Sequence, residues 1–105
     1  INIAKEKSKF GVDPDKIFEF AESISKLNNI KIEGIMTMGP NSSDFEEIRY
    51  YFKKTREIYD SLKKLNYKNF ELKYLSMGMS DSYKIAIEEG SNMIRIGKKI
   101  FEKNI

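Results

Sequence analysis

Between Leu75 and Phe101 the chain reads Leu-Ser-Met-Gly-Met-Ser, then a helical run, then Met-Ile-Arg-Ile-Gly-Lys-Lys-Ile-Phe. A polar, glycine-bearing turn that opens a helix, followed by an apolar strand ending in Arg95-Ile96-Gly97, is suited to holding an anion. Backbone N–H groups at a helix start lack intrahelical partners and carry partial positive charge. Gly78 and Gly97 are expected to let a ligand come close to the main chain. A phosphorylated small molecule fits such a cradle. Spacing alone leaves the alternative open, a tight strand-to-helix turn beside a surface arginine.

The elements that must position these residues alternate along the chain as β-α units, the pattern of a parallel sheet. Four such units are expected. Ile1 to Ala4 reads as the end of a first strand, followed by a polar loop to Val12. Asp13-Pro14 reads as cap and first turn of a helix burying Ile17, Phe18, Ala21, Ile24 and Leu27, and Asn28-Asn29 ends it. Ile30 to Thr37 is a second strand leading into the Met38-Gly39-Pro40 turn. Ser43 with Glu46 forms a capping box for a long helix that turns Phe45, Ile48, Phe52, Ile58, Leu62 and Leu65 inward, its charged face solvated. Phe70 to Leu75 is a third strand, Asp81 to Glu89 a third helix capped by Gly90, and Met93 to Ile96 a fourth strand. Ile100-Phe101 starts a last short helix. In parallel β-α folds ligands sit at the C-terminal ends of the strands. Ser8-Lys9, Thr37, Ser76 to Ser80 and Arg95 to Lys98 all fall at such ends.

Composition narrows the chemistry further. At 105 residues the chain is one domain at most, well short of the roughly 250 residues of a complete (β/α)8 barrel. Ile1 opens directly into a strand-like run, so the expectation is a piece of a longer barrel that has lost its N-terminal side. Cysteine and histidine are both absent, which excludes disulfides, thiolate nucleophiles, imidazole shuttles and the usual metal ligands; acid–base work falls to Lys, Tyr, Asp or Glu. The net charge of +3 comes from 19 basic and 16 acidic residues mixed along the helices. No dedicated basic face for nucleic acid is expected. No apolar run is long enough to cross a membrane, no secretory signal is present, and a cytoplasmic location fits.

Asn2-Ile3, Glu6-Lys7-Ser8-Lys9-Phe10-Gly11-Val12, Gly34-Ile35-Met36-Thr37-Met38, Leu75 to Ser80, and Arg95-Ile96-Gly97 with Ile100-Phe101 come in an order and spacing that closely resemble the pyridoxal-phosphate homeostasis family. These are the YggS- and PROSC-like proteins with an alanine-racemase-type barrel. The likeness covers nearly the whole chain and implies that residues 1–105 are the C-terminal half of a pyridoxal 5′-phosphate (PLP)-binding TIM-barrel domain, a partial (β/α)8 barrel.

By that resemblance Ser80 donates its hydroxyl and backbone N–H to the cofactor phosphate, and the Ile96 and Gly97 amides complete the cradle. Arg95 faces the pyridine nitrogen, keeps it unprotonated, and so weakens the ring as an electron sink. Ser76 is a further, weaker phosphate candidate. Lys9 matches a family lysine near the pocket, although a solvated loop lysine is an equal alternative. For Ser80 the plain alternative is a helix N-cap, for Arg95 a salt bridge to a helix carboxylate, and for Met36, Met38, Met77 and Met79 barrel packing.

The chain departs from the family in three places. Lys98 stands where Thr or Ser is usual and can replace a hydroxyl contact by charge. Ser82 stands for an acidic residue, and Glu102 for a glycine. The family's Schiff-base lysine lies in the N-terminal half, so no catalytic residue is expected here and only phosphate anchoring is implied. The expected function is a non-enzymatic carrier and buffer of PLP in intracellular homeostasis. Alternatives are a fragment of a PLP-dependent racemase or decarboxylase of the same barrel superfamily, or a ligand-free scaffold module. Open strand edges imply pairing with the missing half or self-association.

Overall fold

The computed structural model describes residues 1–102. A parallel pair of strands, β1 (Ile32–Met36) and β2 (Phe70–Ser76), is joined by the long helix α2 (Phe45–Lys64). This is the crossover unit that alternating apolar strands and an amphipathic helix imply. Its register pairs Gly34 with Tyr74 and Met36 with Ser76, with an irregularity between Ile32 and Gly34. The glycine is required there: a Cβ on Gly34 would lie 2.4 Å from the Tyr74 carbonyl oxygen.

Helix α1 (Ile17–Ser25) follows a 3-10 turn at Pro14–Lys16. Asp13 caps that turn as expected, its Oδ1 accepting from the Asp15 N–H at 2.8 Å. The helix stops short of Asn28-Asn29. Only Ile17 and Ala21 of the expected stripe are buried, while Phe18 is 43% and Leu27 50% exposed. Leu27 lies past the end of α1, and Phe18 is on the helix but outside the buried face of Ile17 and Ala21, so helical periodicity misjudged both.

Helix α2 is capped by Asp44, whose carboxylate accepts from the Glu46 and Glu47 N–H groups. The Ser43–Glu46 capping box is therefore corrected: Asp44 is one residue closer to the first helical turn, and a carboxylate is also favoured by the helix dipole. Ile48, Phe52 and Leu62 are buried as read, together with Thr55 and Tyr59, which the apolar pattern had passed over. Thr55 is satisfied by donating to the Tyr51 carbonyl at 2.8 Å and Tyr59 by donating to the Leu72 carbonyl at 3.3 Å. Phe45, at 63% exposed, and Leu65 lie outside this core.

The core runs from α2 through Leu72, Leu75 and Met77 to Ala86 of α3 (Tyr83–Glu88). A last short helix, α4, spans Lys98–Phe101.

The four expected strands reduce to two with two partial neighbours. Ile1 lies beside β1, its amino group donating to the Met36 carbonyl at 2.7 Å and its carbonyl accepting from the Thr37 hydroxyl at 2.9 Å, but no ladder forms. The Met93 segment meets β2 in a single parallel bridge at Ser76. Beyond it β2 turns at Gly78, where φ is +105°. Among the described residues no helix is long and apolar enough to cross a membrane.

Candidate functional site

The Met93 segment is fixed to β2 chiefly by two polar side chains. Asn92 Oδ1 accepts from the Leu75 N–H at 2.8 Å and its Nδ2 donates to the Lys73 carbonyl at 2.6 Å. Ser91 Oγ lies within hydrogen-bond distance of the Leu75, Met77 and Met93 carbonyls, at 2.8 to 3.1 Å. Backbone bonds then run from Met77 N to Met93 O and from Arg95 N to Gly78 O, at 3.1 and 3.0 Å. The Met-Gly-Met-Ser turn and the Arg-Ile-Gly segment are thereby brought to one rim. One side-chain contact ties them there: Ser80 Oγ accepts from the Lys99 N–H at 3.0 Å.

This contact corrects the N-cap reading of Ser80. Helix α3 begins three residues later, at Tyr83, and Ser82 Oγ accepts instead from the Met79 N–H at 3.1 Å, the local bond that its position before the helix permits. In this bond the Ser80 oxygen only accepts, so its hydroxyl remains available as a donor. Gly78 is corrected as well. A Cβ there would meet Ala86 Cβ at 2.7 Å and the Tyr83 Cα at 3.1 Å, so helix–strand packing and a positive φ demand this glycine. Gly97 is different: nothing lies within 4 Å of a Cβ built on it, and its backbone is open to a ligand.

Arg95 reaches across the rim. Its Nη2 donates to the Thr37 carbonyl at 2.9 Å, and its Nε is buried without a hydrogen-bond partner among the described residues. Among those residues it makes no salt bridge, so the carboxylate-pair alternative does not hold. A buried, unpaired guanidinium N–H is costly unless a ligand or water completes it.

These groups line a cleft of about 470 Å³ shared by Lys9, Ser80, Arg95, Gly97 and Lys98, with Met38, Asn41, Ser42 and Met79 on its walls. That volume is in the range of small-molecule sites. Ser76 is buried at the end of β2, and neither it nor Ile96 is among the lining residues. A larger adjoining cleft of about 580 Å³ shares Ser80 to Ser82 but lacks Arg95, Gly97 and Lys9, so the convergent anion-binding groups belong to the smaller one. Of the four methionines expected to pack, only Met77 is buried; Met36, Met38 and Met79 are exposed, and the last two line the cleft. Met38 and Met79 lie where the turns after β1 and β2 open onto the rim, in a cleft that Ile48 and Phe52 of α2 also line.

Lys9 is not a solvated loop lysine. Its ammonium donates to the Gly39 carbonyl at 2.9 Å and pairs with Glu6 Oε1 at 2.9 Å. Glu6 also accepts from the Asn41 N–H at 3.2 Å. The hydrogen bond from Lys9, with the Asn41 N–H and the lysine's charge adding to it, holds the Glu6 carboxyl below its ordinary value despite opposing desolvation. Asn2 closes the loop beneath them: its Oδ1 accepts from the Glu6 N–H at 3.1 Å and its Nδ2 donates to the Glu6 and Lys9 carbonyls. Asn2, Glu6, Asn41, Ser91 and Asn92 escaped the reading for ligand chemistry because their work is to hold loops. The Ser91-Asn92 pair directly before an apolar strand was the one signal available.

A family model described as "Alanine racemase, N-terminal domain" matches residues 1–104. The chain belongs to that family. Among its relatives, the pyridoxal phosphate homeostasis protein of Aquifex aeolicus is 42% identical over 101 residues, 96% of this chain and 43% of that protein. The protein of that name from Schizosaccharomyces pombe is 32% identical, with 96% and 42% covered. A crystal structure of an unknown protein from Bifidobacterium adolescentis superposes with a TM-score of 0.89 at 34% identity, covering 96% of this chain and 40% of that one. The PLP-bound structure of PipY from Synechococcus elongatus gives 0.79 at 29% identity, covering 92% and 45%. This member of the alanine racemase N-terminal domain family thus spans less than half the length of the relatives it matches. Its α/β fold with parallel strands agrees with the barrel domain, and a full barrel is not present. The matches do not support the expected placement as a C-terminal half.

Proposed function

We propose that this chain holds pyridoxal 5′-phosphate by its phosphate in the Arg95 cleft and serves as a non-catalytic carrier and buffer of the cofactor. The observation that carries the reading is the meeting of the two rim loops through Ser80 Oγ and Lys99 N at 3.0 Å, beside an Arg95 Nε that lacks a partner among the described residues. The group fits the residues present. The open backbone at Gly97, the available Ser80 hydroxyl and the Lys98 charge suit a dianion, and Arg95 suits a ring nitrogen that is to stay unprotonated. When bound, the cofactor supplies a reactive aldehyde and an electron-withdrawing ring. Arg95 restrains the second of these, which supports a carrier over an enzyme.

The names of the relatives and the cofactor in the PipY structure support the same reading. Lys9 sits at the rim to contact an anion, whereas Ser76 and Ile96, outside the lining, serve by holding β2 and the Arg95 segment in place. The chain is read as one domain, residues 1–105, forming the C-terminal half of a longer barrel and working in the cytoplasm. That placement rests on motif order alone, as does the reading that the cofactor-linking lysine belongs to the other half. The open edges of β1 and of the Met93 segment suit pairing with that half or with a second copy.

The test is titration with pyridoxal phosphate followed by absorbance and calorimetry. Phosphate-dependent binding that weakens about tenfold or more in Arg95→Ala, each charge-assisted contact contributing about 1.5–3 kcal/mol, and less in Ser80→Ala supports the carrier. Absence of binding supports a scaffold, and turnover of amino acids with added cofactor supports an enzyme.

A further inference from the structure

The loop of residues 2–12 meets the turn after β1 through both members of one ion pair: Lys9 donates to the Gly39 carbonyl, and Glu6 accepts from the Asn41 N–H. Residues 2–12 form a closed loop: Asn2 N donates to the Val12 carbonyl at 3.0 Å, and the Asn2 side chain bonds the Glu6 and Lys9 main chain. Gly11 seals it, because with φ at +126° a Cβ there would press to 2.9 Å from Asn2 N. From this platform Glu6 and Lys9 project together toward the turn after β1. Their side chains are 28% and 27% exposed, so the pair is partly withdrawn from water.

We propose that Glu6 is a positioning residue that holds the Lys9 ammonium back against the Gly39-Pro40-Asn41 turn, so that an anion entering the cleft competes with this carboxylate for the lysine's charge.

The geometry supplies each part. An ammonium has three donors; one goes to Glu6 and one to the Gly39 carbonyl, leaving one N–H for the cleft that Lys9 lines. Glu6 Oε1 is shared with the Asn41 N–H, so the carboxylate is held in place beside Lys9. Arg95 and Lys98 lie in the same cleft. Without Glu6 the cleft would present a third cation, beside two that make no ion pair among the described residues, to any dianion, and the carboxylate therefore lowers affinity in exchange for release. That is a property suited to a site that must give its ligand up. The inference rests on the anion-binding reading of the cleft.

The decisive variant is Glu6→Gln, which keeps an oxygen for the Asn41 N–H and removes only the charge. Titrated with inorganic phosphate and with pyridoxal phosphate, it is expected to bind about two- to fivefold more tightly than the parent, the range of a partly exposed ion pair. In a Lys9→Met background the same substitution should change nothing. A merely structural contact predicts the opposite sign, because a loosened loop loses affinity; weaker or equal binding in Glu6→Gln overturns the proposal. A second readout needs no ligand. The rate at which a small amine-reactive reagent labels Lys9, located by mass spectrometry, should rise in Glu6→Gln, and an unchanged rate overturns the restraint. Faster labelling with no phosphate binding by parent or variant would leave the restraint on Lys9 standing and count against the cradle reading instead.

Discussion

The two walls of the cleft are built differently. The wall from Leu75 to Lys99 is held by backbone bonds, by the Asn92 and Ser91 side chains and by a packed glycine, in contact with the core at Leu75, Met77 and Ala86. The facing wall, residues 2–12 with the turn at residues 39–41, is held by one carboxylate–ammonium pair and a few bonds near the surface, with Phe10 at its tip 99% exposed. Neutral bonds are insensitive to salt and pH, whereas a partly exposed charge pair responds to both. One wall is therefore a fixed template and the other an adjustable one.

Breaking the fixed wall should cost most. Gly78→Ala places a Cβ against Ala86 and Tyr83 at a positive φ, and a loss of about 2–4 kcal/mol of stability is expected from strain and overpacking together; denaturant unfolding with an unchanged m-value checks it. Asn92→Ala removes both clamp bonds and should cost about 1–3 kcal/mol, with hydrogen exchange rising first at the Leu75 and Met77 amides. A loss confined to the 2–12 loop would show that the two walls are not independent.

The adjustable wall should respond to acid before the fold does. The Glu6 carboxyl lies below its ordinary value, so its contribution is complete above about pH 4.5 and is lost as the pH falls through the lowered value. The NMR resonances of the Lys9 side chain should accordingly shift as the pH falls through that range in the parent and show no such step in Glu6→Gln. A step that persists in the variant would assign the effect to another carboxylate.

The parallel pairing of β1 and β2, the inward Ile48, Phe52 and Leu62 of α2, and the glycine cap after α3 were all legible, because each follows from local periodicity or from one residue's conformational needs. Gly90 sits past the end of α3 with φ at +103°, as a cap requires. The exposed Phe18, Leu27 and Phe45 were not legible. An apolar face is written into a helix whether or not a neighbour is there to cover it.

Residue types alone determined that this is a parallel β-α chain without cysteine or histidine chemistry, with its unusual polar residues at the strand ends. Only the tertiary structure decided which of them meet. Ser80 finds Lys99, Arg95 finds the Thr37 carbonyl, and Lys9 finds Glu6 and Gly39, across 19, 58 and up to 30 positions of chain. Periodicity fixes the face on which a side chain stands, but a bond across that much sequence depends on how the loops close. Here closure is set by Asn92, Asn2 and the packing at Gly78, whose partners the local pattern does not name.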